Sequence, residues 1–316
     1  MNRSSDTPAI DVRDLRMRYG TRDVLAGVAF SAQRGEVLAL LGPNGAGKTT
    51  TIEILEGFRA RSAGHVSVLG TDPARGSEAW RARIGVVLQS WRDHKFWRVR
   101  ELLAYQARFY APFATDDVPR PWDVDELIEV VGLSGSAQAK IMTLSGGQRR
   151  RLDLAIGIVG RPEIVFFDEP TAGFDPHARR DFHDLVHRLS DFENTTILLT
   201  THDLDEAEKI ADRILVLDEG RIVADGSPDQ LARELTKATE VHWTSGGSRH
   251  VHALREDSSG FVRDLLITNA DVTELEVRRA SLEDTYMALV HRAESGQSPG
   301  SARPDDTDAK NTEVQA

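Results

Sequence analysis

Residues 42–49 read Gly42-Pro43-Asn44-Gly45-Ala46-Gly47-Lys48-Thr49, with Thr50 following, and fit the spacing G-x-x-x-x-G-K-[ST]. That spacing serves phosphate binding. The glycines let successive backbone N–H groups turn toward one anion, and a helix opening next would add the positive end of its dipole. Lys48 would reach the β- and γ-phosphates, and the Thr49 hydroxyl would ligate Mg²⁺. A second chemical pair ends the run Ile164-Val-Phe-Phe-Asp168-Glu169. Asp168 would be the second acidic partner of the Mg²⁺ shell, and Glu169 the general base that polarises a water for in-line attack. Alone, such a pair is an ordinary solvated strand end; downstream of a phosphate loop it acquires a role. His202 closes the run Thr-Ile-Leu-Leu-Thr-Thr-His, where an imidazole can hydrogen-bond a γ-phosphate.

Leu144-Ser145-Gly146-Gly147-Gln148 arises by chance in on the order of one chain in a few thousand. It precedes a helical stretch in which Leu152, Ile156 and Val159 share a face, so Ser145 is a cap and two glycines open the helix. That is a second anion site, and the chain carries two phosphate-binding helix starts. Two look-alikes are set aside. His183 and His187 mimic a zinc pair but have no glutamate base or third ligand, and read as a solvated helix face. Ser245-Gly246-Gly247 lacks the flanking Leu and Gln and reads as a hairpin turn. No Asn-Lys-x-Asp base reader of a GTPase is present.

These residues need strands and helices to aim them. Val37 to Leu41 is a buried strand in length and character, and Thr50 to Phe58 a helix, which gives the strand, glycine loop, helix context of a phosphate loop. Ile10 to Tyr19 alternates with a phase shift at Asp14, predicting strands broken by a bulge or turn. Val24 to Ser31, His65 to Leu69, Ile84 to Leu88, Ile164 to Phe167, Thr196 to Thr200 and Ile214 to Leu217 are further strands. Helical patterns lie between several of them, such as Ala178 to Leu189 and Leu204 to Ala211. The expected fold is α/β, a P-loop NTPase with a mainly parallel sheet core, an antiparallel β part, an inserted helical subdomain over 97–159 and a small C-terminal α/β appendage. The expected division is a disordered 1–8, a nucleotide-binding domain over 9–235, the appendage over 236–292 and a disordered acidic tail over 293–316. In the appendage, Glu240 to Trp243, Arg249 to Leu254 and Val272 to Val277 read as strands, and Ser281 to His291 as a capped helix.

With 316 residues, 40% hydrophobic and 28% charged, the chain suits one large domain plus an appendage. No apolar run approaches the length of a membrane span, and residues 1–11 lack the core of a signal peptide. The absence of cysteine removes disulfides and thiolate metal sites and makes the cytoplasm the default. A net charge of −11 argues against a general nucleic-acid binder and against adhesion to anionic lipid by charge alone. Membrane association would therefore run through a protein partner, without direct insertion.

In order and spacing these motifs resemble a known family, the nucleotide-binding subunits of ABC transporters, across residues 10–235. The resemblance implies that Tyr19 stacks on the adenine of ATP, that Gly42–Thr49 is the Walker A loop, and that Gln89 is the Q-loop residue, acting in catalysis and on Mg²⁺. It implies that Leu144–Gln148 is the signature, which closes over ATP held by another subunit. It makes Asp168 and Glu169 the Walker B pair, Asp175 the D-loop and His202 the switch histidine. A head-to-tail dimer follows, and one copy of each motif makes a two-fold homodimer with two ATP the simplest assembly. Departures are few: Phe174 stands before Asp175 where the family usually has Leu, and the stretch after Gln89 is unusually aromatic and charged (Trp91, Phe96, Trp97). Those aromatics are read as a dock for a separately encoded membrane permease, with core packing as the bland alternative. Residues 278–289 are similar to the C-terminal extension of the drug-resistance and polysaccharide-export type, which points to export from the inner face of the cell membrane. The rivals are a soluble ABC-type ATPase in DNA repair or translation, and a regulatory module without turnover.

Overall fold

A computed structural model describes residues 7–87, 94–171, 174–235, 239–245, 248–254, 258–269 and 271–279. Gln89, Trp91, the Ser281 to His291 helix, the acidic tail and most of the N-terminal 1–8 segment lie outside the described residues.

The chain begins with β1 (Ile10–Tyr19), β2 (Arg22–Ala32), β3 (Val37–Leu41), α1 (Lys48–Leu55) and β4 (Ala63–Val68). β1 sits between β2 and β4 in a three-stranded antiparallel sheet. The phase shift at Asp14 is a bulge inside one continuous strand: Asp14 has φ 48°, and its pairing slips between Val12 and Leu15. The bulge brings Ile10, Val12, Leu15 and Met17 to the buried side despite their changed spacing. α1 starts at Lys48, two residues before the expected Thr50, and ends at Leu55, so Phe58 lies beyond it and is exposed.

Next come α2 (Glu78–Arg81), β5 (Ile84–Val87), α3 (Val99–Ala107), α4 (Val124–Val130), α5 (Gly146–Ile158) and β6 (Ile164–Asp168). α6 (Pro176–Glu193), β7 (Thr196–Thr201), α7 (Leu204–Ile210), β8 (Arg213–Asp218), β9 (Arg221–Gly226) and α8 (Pro228–Leu235) follow. Six strands form one sheet in the order β5-β6-β7-β3-β8-β9, parallel throughout except for β8 with β9. β9 is absent from the sequence reading. Its hairpin turn carries two positive φ values, Glu219 at 42° and Gly220 at 72°, which an acidic residue before glycine favours.

The sheet is covered on both faces, which is why its strands read as apolar runs rather than alternations. Leu38 and Leu40 of β3, Phe166 of β6 and Leu198 of β7 join a cluster with the antiparallel sheet and with Ile52 and Leu55 of α1. Ala39, Leu41, Phe167 and Leu199 point the other way, into a cluster with α3 to α7. Each fully buried Phe or Leu contributes roughly 1.5–3 kcal/mol. β3 and β6 therefore leave both clusters at the same end of the sheet, and their carboxyl ends present the phosphate loop and the Asp168–Glu169 pair together. Within the helix-rich stretch, Trp97 packs half-buried against the second cluster, with Tyr105 edge-on at 5.3 Å, whereas Phe96 stays exposed.

β10 (Thr239–Ser245), β11 (Ser248–Leu254) and β12 (Thr273–Arg279) make a separate antiparallel sheet in the order β11-β10-β12. Ser245 pairs with Ser248 across the hairpin. α9 (Ser258–Thr268), which the sequence reading lacks, sets Phe261 against His252 and Trp243 at centroid distances of 4.5 and 5.9 Å.

At the amino end of the six-stranded sheet, Glu163 gathers three guanidinium groups. Arg83 donates two bonds to it at 2.7 and 2.8 Å, Arg34 one at 3.2 Å and Arg120 one at 3.3 Å. Burial pushes the Glu163 carboxyl up, yet the bonds and charges of Arg83 and Arg34 win and hold it at about 2 rather than 4.5. A folded-state value below the unfolded one stabilises above the unfolded pKa and ceases to do so as pH falls toward the folded one; a shift of this size is worth about 3 kcal/mol. Glu163→Gln should therefore lower the urea midpoint clearly at pH 7, and the gap to the parent chain should narrow at pH 3. An equal gap at both pH values would show that the charge is not the cause.

Candidate functional site: the phosphate loop and its carboxylates

The loop after β3 turns inside tight limits. A Cβ on Gly42 would sit 2.3 Å from the Leu217 carbonyl oxygen, so the loop can leave the sheet there only as glycine. Gly47 has φ 108°, and a Cβ on it would meet Leu25 at 2.6 Å. Past it, the first turn of α1 presents the N–H groups of Lys48, Thr49 and Thr50, which a helix leaves without internal partners. Pro43 and Ala46 close the loop through a backbone bond of 3.3 Å, while Asn44 and Gly45 stand exposed at its crest.

Lys48 folds back under the loop. Its Nζ donates to the carbonyl oxygens of Gly42 at 2.7 Å and Pro43 at 3.2 Å, and lies 3.8 Å from Glu169 Oε1. The side chain is 6% exposed. Burial lowers the ammonium pKa, and the charges of Glu169 and Asp168 oppose that. Thr49 Oγ1 donates to Asp168 Oδ2 at 3.1 Å. Thr200, buried in β7, donates to Asp168 Oδ1 at 2.7 Å and accepts the Glu169 N–H at 2.9 Å. Glu169 has φ 47°, a strained setting for a residue with a side chain, and its Oε1 lies 3.4 Å from His202 Nδ1. The structure thus brings Lys48, Thr49, Asp168, Glu169 and His202 to one place.

Thr200 is the member that sequence reasoning missed. Its signal was a hydroxyl among the three threonines of a wholly buried strand, since a buried polar group has a partner.

Ser145 caps α5 as expected, in a reciprocal box: its hydroxyl accepts the Gln148 N–H at 3.2 Å, and Gln148 Oε1 accepts the Ser145 N–H at 3.0 Å. Leu144 packs against the core behind it. No described residue comes within 4 Å of where a Cβ on Gly146 or Gly147 would point. Further along α5, Arg150 donates to the Pro170 carbonyl at 2.8 Å, tying this helix to the turn after Glu169. Burial raises the Asp153 carboxyl to about 6 against the pull of Arg149 and Arg150.

Asp175 caps α6, accepting the N–H groups of His177 and Ala178 at 2.9 Å each. Those bonds lower its pKa. Phe174 faces the Phe182 ring at 6.3 Å, so the aromatic fills apolar space. Tyr19, at the end of β1, is 42% exposed, with the Arg59 guanidinium 5.3 Å from its ring centre and Glu53 of α1 holding that guanidinium. His183 has its pKa lowered mainly by burial, with Lys209 and Arg179 adding to it. Among the described residues no cluster of metal-ligating side chains of the His, Cys and carboxylate kind appears.

The donor set fits a magnesium nucleotide. A threonine hydroxyl beside a carboxylate offers the oxygen ligands a hard divalent cation takes. The buried ammonium next to helix-start amides offers the positive cradle a polyphosphate takes.

The pattern that describes the ABC transporter family matches residues 25–172, a span from within β2 to just past Glu169. Among curated proteins, "Nod factor export ATP-binding protein I" of Neorhizobium galegae is 34% identical over 305 residues, covering 92% of this chain and 87% of that protein. "Daunorubicin resistance ATP-binding protein DrrA3" of Streptomyces coeruleorubidus is 38% identical over 258 residues, covering 78% of this chain and 74% of the other. Among solved structures, cbiO1 of Clostridium perfringens, part of the ABC transporter complex cbiONQ, superimposes with a TM-score of 0.63 at 27% identity, over 72% of this chain and 92% of that one. The ADP conformation of MJ1267, an ATP-binding cassette of an ABC transporter, gives 0.61 at 25% identity, over 71% and 92%. Subunits of this family work with separate membrane permease components. The chain belongs to the ABC transporter family, as an ATP-binding, ATP-hydrolysing subunit of exporter type.

Proposed function

We propose that this chain powers export through a membrane permease by closing as a head-to-tail homodimer over two Mg-ATP and reopening on hydrolysis. The observation that carries the reading is the convergence on Glu169, whose Oε1 lies between Lys48 Nζ at 3.8 Å and His202 Nδ1 at 3.4 Å. An incoming triphosphate competes for Lys48 and frees Glu169 to take the proton of the attacking water. Bound by Thr49 and Asp168, Mg²⁺ would neutralise charge on the β- and γ-phosphate oxygens. Thr200 fixes both carboxylates from behind. His202 donates to the γ-phosphate, Tyr19 meets the adenine, Asp175 lines the subunit junction, and Gln89 completes the metal shell as the family resemblance implies.

Support for the dimer comes from Gly146 and Gly147. No described residue of their own chain comes within 4 Å of where their side chains would be, so packing among the described residues does not require glycine there. Close approach by a phosphate held on a second copy does. Support for the export direction comes from two relatives, one named for Nod factor export and one for daunorubicin resistance. Among the described residues no helix is long and apolar enough to cross a membrane, which suits a peripheral subunit on the cytoplasmic face. Trp97 packs partly buried against the core, so of Phe96 and Trp97 the exposed Phe96 is the candidate contact with the permease. The strand and helix grouping favours a nucleotide-binding unit over 9–235 and an appendage over 236–292. No relative described above supports a role in DNA repair or translation.

Two substitutions test the reading. Glu169→Gln should keep ATP binding, lose most turnover and accumulate an ATP-bound dimer visible by size-exclusion chromatography; near-normal steady-state ATPase would sink the general-base role. Ser145→Arg should leave nucleotide affinity of the monomer intact while dimerisation and hydrolysis fail. Equal loss of nucleotide binding would show that the signature does not act across an interface.

A further inference from the structure

The three guanidiniums around Glu163 line a cavity of about 860 Å³, in the range of small-molecule sites. It opens at the amino ends of the parallel strands. Arg34 precedes β3, Arg83 precedes β5 and Glu163 precedes β6, while Arg120 reaches in from the segment before α4. The phosphate loop lies at the opposite ends, across β6, whose five residues span about 16 Å.

Glu163 is more than a staple can use and less than the arginines need. Arg83 engages both of its oxygens in short bonds. Arg120 is left with two long ones, 3.3 Å to Glu163 and 3.4 Å to the Phe113 carbonyl, and among the described residues its Nε has no hydrogen-bond partner. Its side chain is only 3% exposed, and a buried guanidinium with unused donors is an expensive arrangement. The other carboxylate of the lining is Asp117, at the exposed rim, so the cavity carries an excess of positive charge in a chain of net charge −11. Leu69, Phe113 and Val118 supply apolar wall.

We propose that this cavity binds a small phosphate-bearing molecule with an apolar body, independently of the nucleotide site. Arginine forks match phosphate oxygens in pairs. The apolar wall takes the remainder of the ligand, and Asp117 at the rim disfavours a second anionic group.

The probe is phenyl phosphate, titrated calorimetrically into the full chain already saturated with Mg-ADP. Saturable binding should persist in the presence of ADP, and phenol should not compete. Arg34→Gln, at a half-exposed position, should weaken binding by about five-fold or more, the worth of one charge-assisted bond. Glu163→Gln removes the competing carboxylate and should tighten it. Should Glu163→Gln fail to fold, Arg34→Gln and Arg83→Gln decide alone. Absence of saturable binding, displacement by ADP, equal competition by phenol, or affinity unchanged in the arginine variants would each overturn the proposal.

Discussion

A charged ammonium that is 6% exposed is the constraint around which the catalytic end is arranged. Taken from water without partners, Lys48 would lose its proton rather than its hydration. Two loop carbonyls and two carboxylates prevent that. The carbonyls belong to Gly42 and Pro43, so the loop must curl back over its own lysine, which is possible because Gly42 can pass within contact of the Leu217 backbone. The carboxylates belong to the end of β6, so β3 and β6 must finish level. Their common end is secured by β7, which lies between them in the sheet and carries Thr200. One buried ion thus fixes a loop, a strand register and a threonine.

The same strand has chemistry at both ends. β6 begins beside Glu163, held near pKa 2 by arginines, and ends at Asp168 and Glu169. Its interior is Ile, Val, Phe and Phe, buried on both faces, and allows no polar group between. The sheet therefore separates two sets of charges with a dry layer, and each set must be satisfied locally. At the carboxyl ends the donor set fits a nucleotide and its metal. At the amino end of β6 three guanidiniums share the one carboxylate of Glu163.

Much of the catalytic end was legible because its chemistry is contiguous. A phosphate loop needs its glycines, lysine and threonine within eight residues, and the Asp-Glu pair must follow an apolar strand; both constraints leave a pattern in one stretch of chain. The signature cap at Ser145 was legible for the same reason, since the box closes over three residues. Thr200 and the Glu163 cluster were not, because their partners lie 31 and 32 residues away in one case and 43 to 129 in the other. β9 and α9 escaped for a further reason. β9 alternates exposed and half-buried residues at a sheet edge, and α9 leaves Leu266 and Ile267 exposed, so neither shows the continuous apolar signal of the central strands.

The glycines divide by what requires them, and that division bears on what is complete within one chain. Gly42 and Gly47 are required by this chain, through a carbonyl at 2.3 Å and a leucine at 2.6 Å. Gly146 and Gly147 are required by nothing described around them, although they open a thirteen-residue helix, where glycine costs stability relative to alanine. A cost retained without an internal reason points outward, to an object that must approach the backbone more closely than a methyl group allows. The helix start at residue 146 and the one at residue 48 are the same kind of anion cradle. Only the second has its lysine, its hydroxyl and its carboxylates. On the function proposed above, the first is half of a site whose other half is the loop of another copy.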